Sequence, residues 1–146
     1  MKISVLLPTL NNIQVNTIIE NFEVLKEQND IPIENIRELI SFSYGSPGRY
    51  IKNLQSWLGI SSELRQKLEI KLTNQIEILK LAKEISDELN VEQQLWLIDF
   101  QQNKIWRKEK NAIAIKKLEE LRKQILNYVQ PRLAWEVTLL EINFLN

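Results

Sequence analysis

From residue 15 onward the chain repeats apolar side chains at intervals of three and four, with short polar breaks between the repeats. This spacing places the apolar side chains on one face of an α-helix. The stripes from Val15 to Leu25 and from Ile33 to Ile40 predict two helices, the second ending near Tyr44. The pattern is that of an all-α chain, although ISVLL at residues 3 to 7 favours a short strand.

Turn-forming residues are concentrated in YGSPGRY, residues 44 to 50. Gly45 is placed to end the second helix, since glycine accepts the left-handed backbone of a helix C-terminus. Ser46 is typical of an N-cap and Pro47 of the first position of a helix. We therefore predict a third helix from this point to about Leu58, ended by Gly59.

Gly48 lies in the first turn of that helix, where glycine is less stable than alanine. Two explanations stay open: a neighbouring helix approaches closely, or a ligand phosphate binds at the helix N-terminus. Arg49 would stand beside that N-terminus, and by default it is a solvated surface residue.

The middle of the chain predicts one long helix, capped by Ser61 and Ser62 and ended by Asn90. Its apolar stripe is Leu64, Leu68, Leu72, Ile76, Leu79, Ala82, Ile85 and Leu89. A further helix is predicted from Val91 to Arg107, and the next contains the stripe from Ile115 to Val129. The interior of the first of these is Leu95, Ile98 and Phe100, with Trp96 and Trp106 as large packing residues.

The last helix is predicted to begin at about Arg132 and to be apolar on two faces. One stripe consists of Leu133, Val137, Leu140 and Phe144, and the other of Trp135, Leu139 and Ile142. A helix that is apolar on two faces is buried on two faces. The second face is therefore either a subunit interface or part of a central core.

Composition limits the chemistry that the chain can perform. It is 44% hydrophobic and 26% charged, with 19 basic and 19 acidic side chains, and it contains no cysteine or histidine. This excludes a thiol nucleophile, a Ser-His pair and a zinc site of the usual ligands. A di-iron site in a helical bundle needs Glu-x-x-His pairs and is excluded as well. We expect no metal, no cofactor and no catalysis by the chain itself.

No segment reaches 18 uncharged apolar residues, so no membrane span is expected. The start, MKISVLLPTL, has one lysine and a short apolar run but no small-residue cleavage site, unlike a signal peptide. With the absence of cysteine, this favours a cytoplasmic location.

Charge is uneven along the chain. Residues 104 to 132 carry nine basic and three acidic side chains, a net charge of +6. This stretch is either a solvated helix face or a contact for an acidic partner or DNA. The carboxylates Glu84, Asp87 and Glu88 lie at a predicted helix end without a convergent base, so a solvated face is favoured over an enzyme site.

The GSPGR motif between two predicted helices resembles the lid domain of the bacterial clamp-loader delta-prime subunit, in which G-S-P-G-x-A is typical. LNNIQVNTIIENF, residues 10 to 22, resembles the first lid helix, and KISVLLPTL before it resembles the last strand of an AAA+ core.

The far end carries a second resemblance. ILNYVQPRLAWEVTLLEI, residues 125 to 142, is similar to the closing helices of clamp-loader subunits, which often contain N-x-N-P-R-L-x-L-E-x-L-L-L. The matching residues are Pro131, Arg132, Leu133, Glu136, Leu139 and Leu140. The segment VQPRLAWEV is similar to cyanobacterial delta-prime subunits in particular.

The resemblance implies an all-α protein with a three-helix lid domain and a helical-bundle collar domain. Residues 1–9 would be the last strand of a missing AAA+ core, 10–59 the lid and 60–146 the collar. The lid motif would be Gly45, Ser46, Pro47, Gly48 and Arg49. The collar interface would be Pro131, Arg132, Leu133, Trp135, Glu136, Leu139, Leu140 and Ile142.

The implied function is that of a non-catalytic clamp-loader subunit of the DNA polymerase III holoenzyme, active in DNA replication. Its expected partners are the gamma/tau and delta types of subunit, with the sliding clamp and primed DNA contacted indirectly. The alternative is a helical adaptor of an unrelated pathway, which would share only the bundle architecture.

The sequence also departs from the family pattern. It has no G-x-x-x-x-G-K-[ST] phosphate loop, no acidic Walker B strand and no Ser-Arg-Cys motif. We therefore expect a fragment, a separately encoded half or a truncated product. Active motors place an arginine directly after G-S-x, where this chain has Gly48. Arg49 is rotated by about 100° from that place, and Tyr50 replaces the usual small alanine.

Overall fold

The computed structural model of the chain describes residues 31 to 144. The chain divides into two compact units, Met1–Gly59 and Ile60–Asn146. The described residues form seven α-helices and no strand, which confirms the all-α prediction. The strand predicted at residues 3 to 7 and the helix predicted from Val15 to Leu25 lie outside the described residues.

The described part of the first unit is a pair of packed helices, α1 (Ile33–Phe42) and α2 (Pro47–Leu58). Ile36, Leu39 and Ile40 of the predicted stripe form the buried face of α1, whereas Ile33 at the start of the stripe is 46% exposed. The core side chains of this pair are Ile36, Leu39, Tyr50, Leu54 and Trp57, all almost fully buried. Burial of a large apolar side chain contributes about 1.5–3 kcal/mol, so these side chains hold the two helices together.

The connection between α1 and α2 reverses the chain through two left-handed residues, Tyr44 with φ 50° and Gly45 with φ 77°. Beneath the turn, the hydroxyl of Ser43 donates to the carbonyl of Leu39 at 2.6 Å and accepts from Asn53 Nδ2 at 3.2 Å. This hydroxyl therefore ties the end of α1 to the middle of α2.

Five helices make up the second unit. Their bounds are α3 (Ser62–Glu69), α4 (Gln75–Glu88), α5 (Val91–Lys108), α6 (Ala112–Leu126) and α7 (Pro131–Phe144). Helix α7 packs against α4 and α6, α6 packs against α5, and α3 packs against α4. The shared core contains Leu64, Ile78, Ala82, Ile85, Leu97, Ile98, Phe100, Leu118, Leu121 and Trp135.

The prediction of one long helix from Ser61 to Leu89 is wrong. Ile70 adopts an extended backbone, with φ −83° and ψ 135°, and ends α3. Asn74 then caps α4, because its side chain accepts from the N–H of Glu77 at 2.9 Å. The break changes which residues are buried: Ile78 and Leu81 lie in the core, whereas Ile76 and Leu79 of the predicted stripe are exposed.

Asn90 and Asn111 do more than end the preceding helices. Each is an N-cap, and Asn90 forms a capping box in which its side chain and that of Gln93 each accept from the other's backbone N–H. Further errors concern single residues. Trp106, predicted to pack inside, is 55% exposed, and Val129 lies beyond the end of α6 and is also exposed. Leu133 and Val137, on a stripe of the last helix predicted to be buried, are exposed as well.

Candidate protein interface

Helix α7 begins at Pro131, one residue before the predicted start, where the missing N–H of proline leaves no bond unmade. The carbonyl of Gln130 accepts from the N–H of Ala134 at 3.1 Å and forms the first turn. Helix α7 packs against both α4 and α6, so its sides differ in their exposure to solvent. The predicted interface residues are distributed over these sides.

The inner side of α7 is part of the core of the second unit. Ala134, Trp135 and Thr138 are buried there. Trp135 Nε1 donates to Gln94 Oε1 at 2.9 Å, and Gln94 Nε2 donates to the carbonyl of Leu89 at 2.9 Å. Trp135 is therefore enclosed by its own unit, and its contribution to an interface is to hold α7 in place.

Sequence reasoning missed Gln94, which is buried and polar. The available signal was its position: Gln94 precedes Leu97 and Ile98 by three and four residues, so it shares their helix face. Buried polar groups are normally hydrogen-bonded, and a glutamine on an apolar stripe therefore indicates a specific partner.

The outer side of α7 carries apolar side chains that face solvent. Leu133 is 52% exposed and Val137 is 46% exposed. They are four residues apart and are therefore neighbours on the helix surface. Leu140, three residues after Val137, is half-buried. We call Leu133 and Val137 the outer face of α7.

Leu139 and Ile142 are half-buried and lie on the side of α7 that borders a cleft. The cleft has a volume of about 530 Å³ and is formed by residues of α3, α4, α5 and α7 together with the segment that joins α3 to α4. Ile70 and Leu72 also line it. Leu133 and Val137 of one predicted stripe of α7 thus face solvent, whereas Leu139 and Ile142 of the other border this cleft.

Side chains of α7 form ion pairs within the helix and with α6. Arg132 Nε lies 2.9 Å from Glu136 Oε1 one turn later on the same helix. Lys117 Nζ lies 2.8 Å from Glu141 Oε2 and links α6 to α7. The hydrogen bond to Glu141 raises the pKa of Lys117 above its usual value. The charges of Arg132 and Glu136, both part of the predicted interface, are therefore partly neutralised by each other.

The basic stretch from 104 to 132 is also partly neutralised. Lys104 pairs with Glu69 at 3.2 Å, and Arg122 pairs with Asp99 and, at 3.4 Å, with Glu119. The partners come from inside and outside the stretch. The net charge of the segment therefore overstates the positive charge that it offers to another molecule.

Ser46 and Pro47 have the local structure predicted for them. Ser46 caps α2 by accepting from the N–H of Arg49 at 3.3 Å, and Pro47 occupies the first helical position. Gly45 has the predicted left-handed backbone, but it lies two residues beyond Ser43, the C-cap of α1, and Tyr44 is the first left-handed residue after the helix. Apart from its chain neighbours and the backbone of its own helix, no described atom lies within 4 Å of the place where a Cβ on Gly48 would sit. Close packing by α1 is therefore not the reason for this glycine. Arg49 is exposed.

Tyr50, which stands where the lid pattern has a small alanine, is completely buried. Burial raises the pKa of its hydroxyl. That hydroxyl has no hydrogen-bond partner among the described residues. The unit therefore accommodates the larger side chain in its core, with one polar atom left unsatisfied there.

The carboxylates at the end of α4 take part in surface interactions. Glu84 pairs with Lys67 at 2.5 Å, and Glu88 accepts from the hydroxyl of Ser61 at 3.0 Å. Across residues 31 to 144, no group of three or more acidic side chains is placed to hold a metal ion. None of the helices that can be described is long and apolar enough to cross a membrane.

The fold and the outer face of α7 define the class of protein. It is an all-α protein of two helical units with exposed apolar residues on its last helix. Over residues 20–142 the sequence matches the family described as cyanobacterial DNA polymerase III delta prime, C-terminal domain. The chain belongs to this family. This confirms the resemblance found in the sequence and supports a role in a DNA polymerase III clamp-loader subunit.

No curated protein and no solved structure matches the chain.

Proposed function

We propose that the chain supplies the lid and collar of a non-catalytic, delta-prime-like clamp-loader subunit. The lid would be residues 10–59 and the collar residues 60–146, with residues 1–9 as the last strand of an AAA+ core. The family match carries the proposal, because residues 20–142 extend through parts of both compact units. The boundary between the units, after Gly59, agrees with this division.

The proposed task is assembly with gamma/tau-type and delta-type subunits, which helps to load the sliding clamp on primed DNA. The outer face of α7 is the first candidate for the contact. Leu133 and Val137 are each about half exposed, so their complete burial against a partner helix would contribute about half of the roughly 1.5–3 kcal/mol of a fully exposed side chain. Pro131, Arg132, Glu136, Leu140 and, beneath them, Trp135 complete this proposed surface, and Leu139 and Ile142 extend it toward the cleft.

Catalysis is not part of the proposal. The sequence has no phosphate loop, and the exposed Arg49 follows Gly48 instead of occupying its place. The first turn of α2 would then have no arginine directed at a γ-phosphate. Labelled ATP should accordingly show no micromolar binding to the chain.

Native mass spectrometry tests the assembly. The chain is mixed with the gamma/tau-type and delta-type subunits of its own clamp loader, and we expect one copy per pentamer. The double variant Leu133→Asp/Val137→Asp should fail to incorporate while keeping the helical circular dichroism of the parent, because both side chains already face solvent.

The matched control is Ile76→Asp/Ile113→Asp, which also places two aspartates at exposed apolar positions, on α4 and α6. It should still incorporate. If the parent chain stays monomeric in every mixture, the clamp-loader proposal fails. If both double variants incorporate equally well, assembly is retained but the outer face of α7 is not the contact.

A further inference from the structure

Apolar side chains line the floor of the cleft in the second unit. The accessible ones are the half-buried Leu68 of α3, Ile105 of α5, and Leu139 and Ile142 of α7. Leu81, Ile85, Leu97 and Trp135 also line the cleft but are almost fully buried. The volume of about 530 Å³ falls in the size range of ligand sites.

Positive charge borders this floor. The cleft is lined by four lysines, Lys67, Lys71, Lys104 and Lys108, and by only two carboxylates, Glu69 and Glu109. The second unit as a whole is close to neutral, with 14 basic and 13 acidic residues from 60 to 146. The edge of the cleft is therefore more positive than the unit that contains it, and an acidic partner fits it best.

The lysines at the edge of the cleft differ in whether they form an ion pair within the protein. Lys104 pairs with Glu69 at 3.2 Å, and Lys67 pairs with Glu84 at 2.5 Å. Lys71 is exposed and makes no ion pair with a described residue. Since exposed ion pairs contribute only about 0–1 kcal/mol, an incoming carboxylate can approach Lys71 directly and compete for the others at little cost.

One wall of the cleft is the segment that joins α3 to α4, which is neither helix nor strand. Ile70, Lys71 and Leu72 of this segment line the cleft. Ile70 has an extended backbone and is 61% exposed. No hydrogen bond joins the backbone of residues 71 to 73 to another described residue. Backbone N–H and C=O groups that are not used within the fold can bond to an extended chain.

We propose that this cleft binds an extended, acidic segment of a partner polypeptide, which lays alternate apolar side chains on the floor. The backbone of residues 71 to 73 would bond to the segment, and its carboxylates would face Lys71 and Lys104. In an extended chain, side chains alternate between two faces. One face of the segment would therefore enter the cleft while the other directs its acidic groups to the edge.

A nucleic acid fits this site less well, because the floor is apolar and two carboxylates line the edge. A neutral small molecule would form no ion pair with the lysines at the edge. The inference goes beyond the collar proposal. Trp135, Leu139 and Ile142 belong to both surfaces, but neither Leu133 nor Val137 lines the cleft, and the chain alone suffices for the test.

The probe is a fluorescein-labelled decapeptide of alternating leucine and aspartate, measured by fluorescence anisotropy against the complete chain. Two comparison peptides replace every aspartate by lysine or every leucine by serine. We expect binding of the leucine-aspartate peptide alone, and weaker binding as salt is raised. Equal binding of the lysine peptide, displacement of the probe by a thymidine oligonucleotide, or no binding at millimolar concentration would each overturn the proposal.

Two pairs of variants locate the site. Ile70→Ser removes an apolar wall, and its control is Ile113→Ser, which is 60% exposed on α6 and outside the cleft. Lys71→Glu reverses a charge at the edge, and its control is Lys83→Glu, an exposed lysine of α4 that does not line the cleft. The cleft variants should bind the leucine-aspartate peptide about three- to tenfold more weakly, and their circular dichroism should be unchanged. Equal losses in variants and controls would contradict the assignment.

Discussion

Trp135 on α7 and Gln94 on α5 are both buried, and the indole N–H of Trp135 donates to Gln94 Oε1 at 2.9 Å. Gln94 in turn donates to the carbonyl of Leu89, just before α5 begins. This pair is a buried polar link between α7 and α5. It also sets the rotation of α7, because the indole can reach its acceptor in only a narrow range of orientations. That rotation determines which side chains of α7 face solvent.

Replacing Gln94 by leucine should lower the free energy of unfolding by about 1–3 kcal/mol. The apolar side chain fits the core, but the indole N–H and the carbonyl of Leu89 both lose their partner, and a buried unsatisfied group costs about that much. Urea unfolding followed by tryptophan fluorescence measures the change. Gln66→Leu, at an exposed position of α3, is the control and should change stability by less than about 0.5 kcal/mol. A loss no greater than that of the control would show that the bond contributes nothing.

The two glycines of the GSPGR motif should respond to alanine in opposite directions. Gly48 lies in the first turn of α2, and apart from its chain neighbours and its own helix backbone no described atom lies within 4 Å of a Cβ there. Alanine is favoured over glycine in a helix by about 0.5–1 kcal/mol. Gly45 has a φ of 77°, which costs an L-residue about 1–2 kcal/mol. We expect Gly48→Ala to raise the midpoint of thermal unfolding and Gly45→Ala to lower it.

The same pair of variants tests what Gly48 is for. If Gly48→Ala stabilises the chain and leaves incorporation into the pentamer unchanged, the glycine has no role in close packing. If it stabilises the chain but blocks incorporation, the space beside Gly48 is used by a neighbouring subunit. A destabilising effect would mean that residues outside the described range approach this position.

Periodicity predicted most helices, because an apolar stripe records which face each helix buries. It failed between α3 and α4, where Leu68, Leu72 and Ile76 continue the spacing although the helix ends at Glu69. Asn74 caps the helix that follows this break, but an asparagine within a regular stripe gives only a weak local signal. The cleft could not be predicted at all, since its walls come from four helices whose packing no single stripe encodes.

Removing the cap of α4 should therefore destabilise the second unit. Asn74→Ala loses the bond from the side chain to the N–H of Glu77, and loss of such a cap costs about 0.5–2 kcal/mol. Gln75→Ala, the next exposed position, is the control and should be close to neutral. The difference between the two in urea unfolding measures the cap. Equal stability of the two variants would mean that the break between α3 and α4 does not depend on Asn74.

Tyr50 gives the chain a stability that depends on pH. Burial raises the pKa of its hydroxyl above the ordinary value of 10.0, so the folded state retains a proton that the unfolded state releases. The contribution is fully present below pH 10 and is lost as pH rises above it, at up to about 1.4 kcal/mol per pH unit. Tyr50→Phe removes this titration and also the unsatisfied hydroxyl. The variant should be at least as stable as the parent at pH 7, and its advantage should grow between pH 10 and pH 11. Because the two proteins differ only at this position, the difference between their urea midpoints isolates Tyr50. A difference that stays constant over this range would show that the hydroxyl ionises as readily in the folded chain as in the unfolded one.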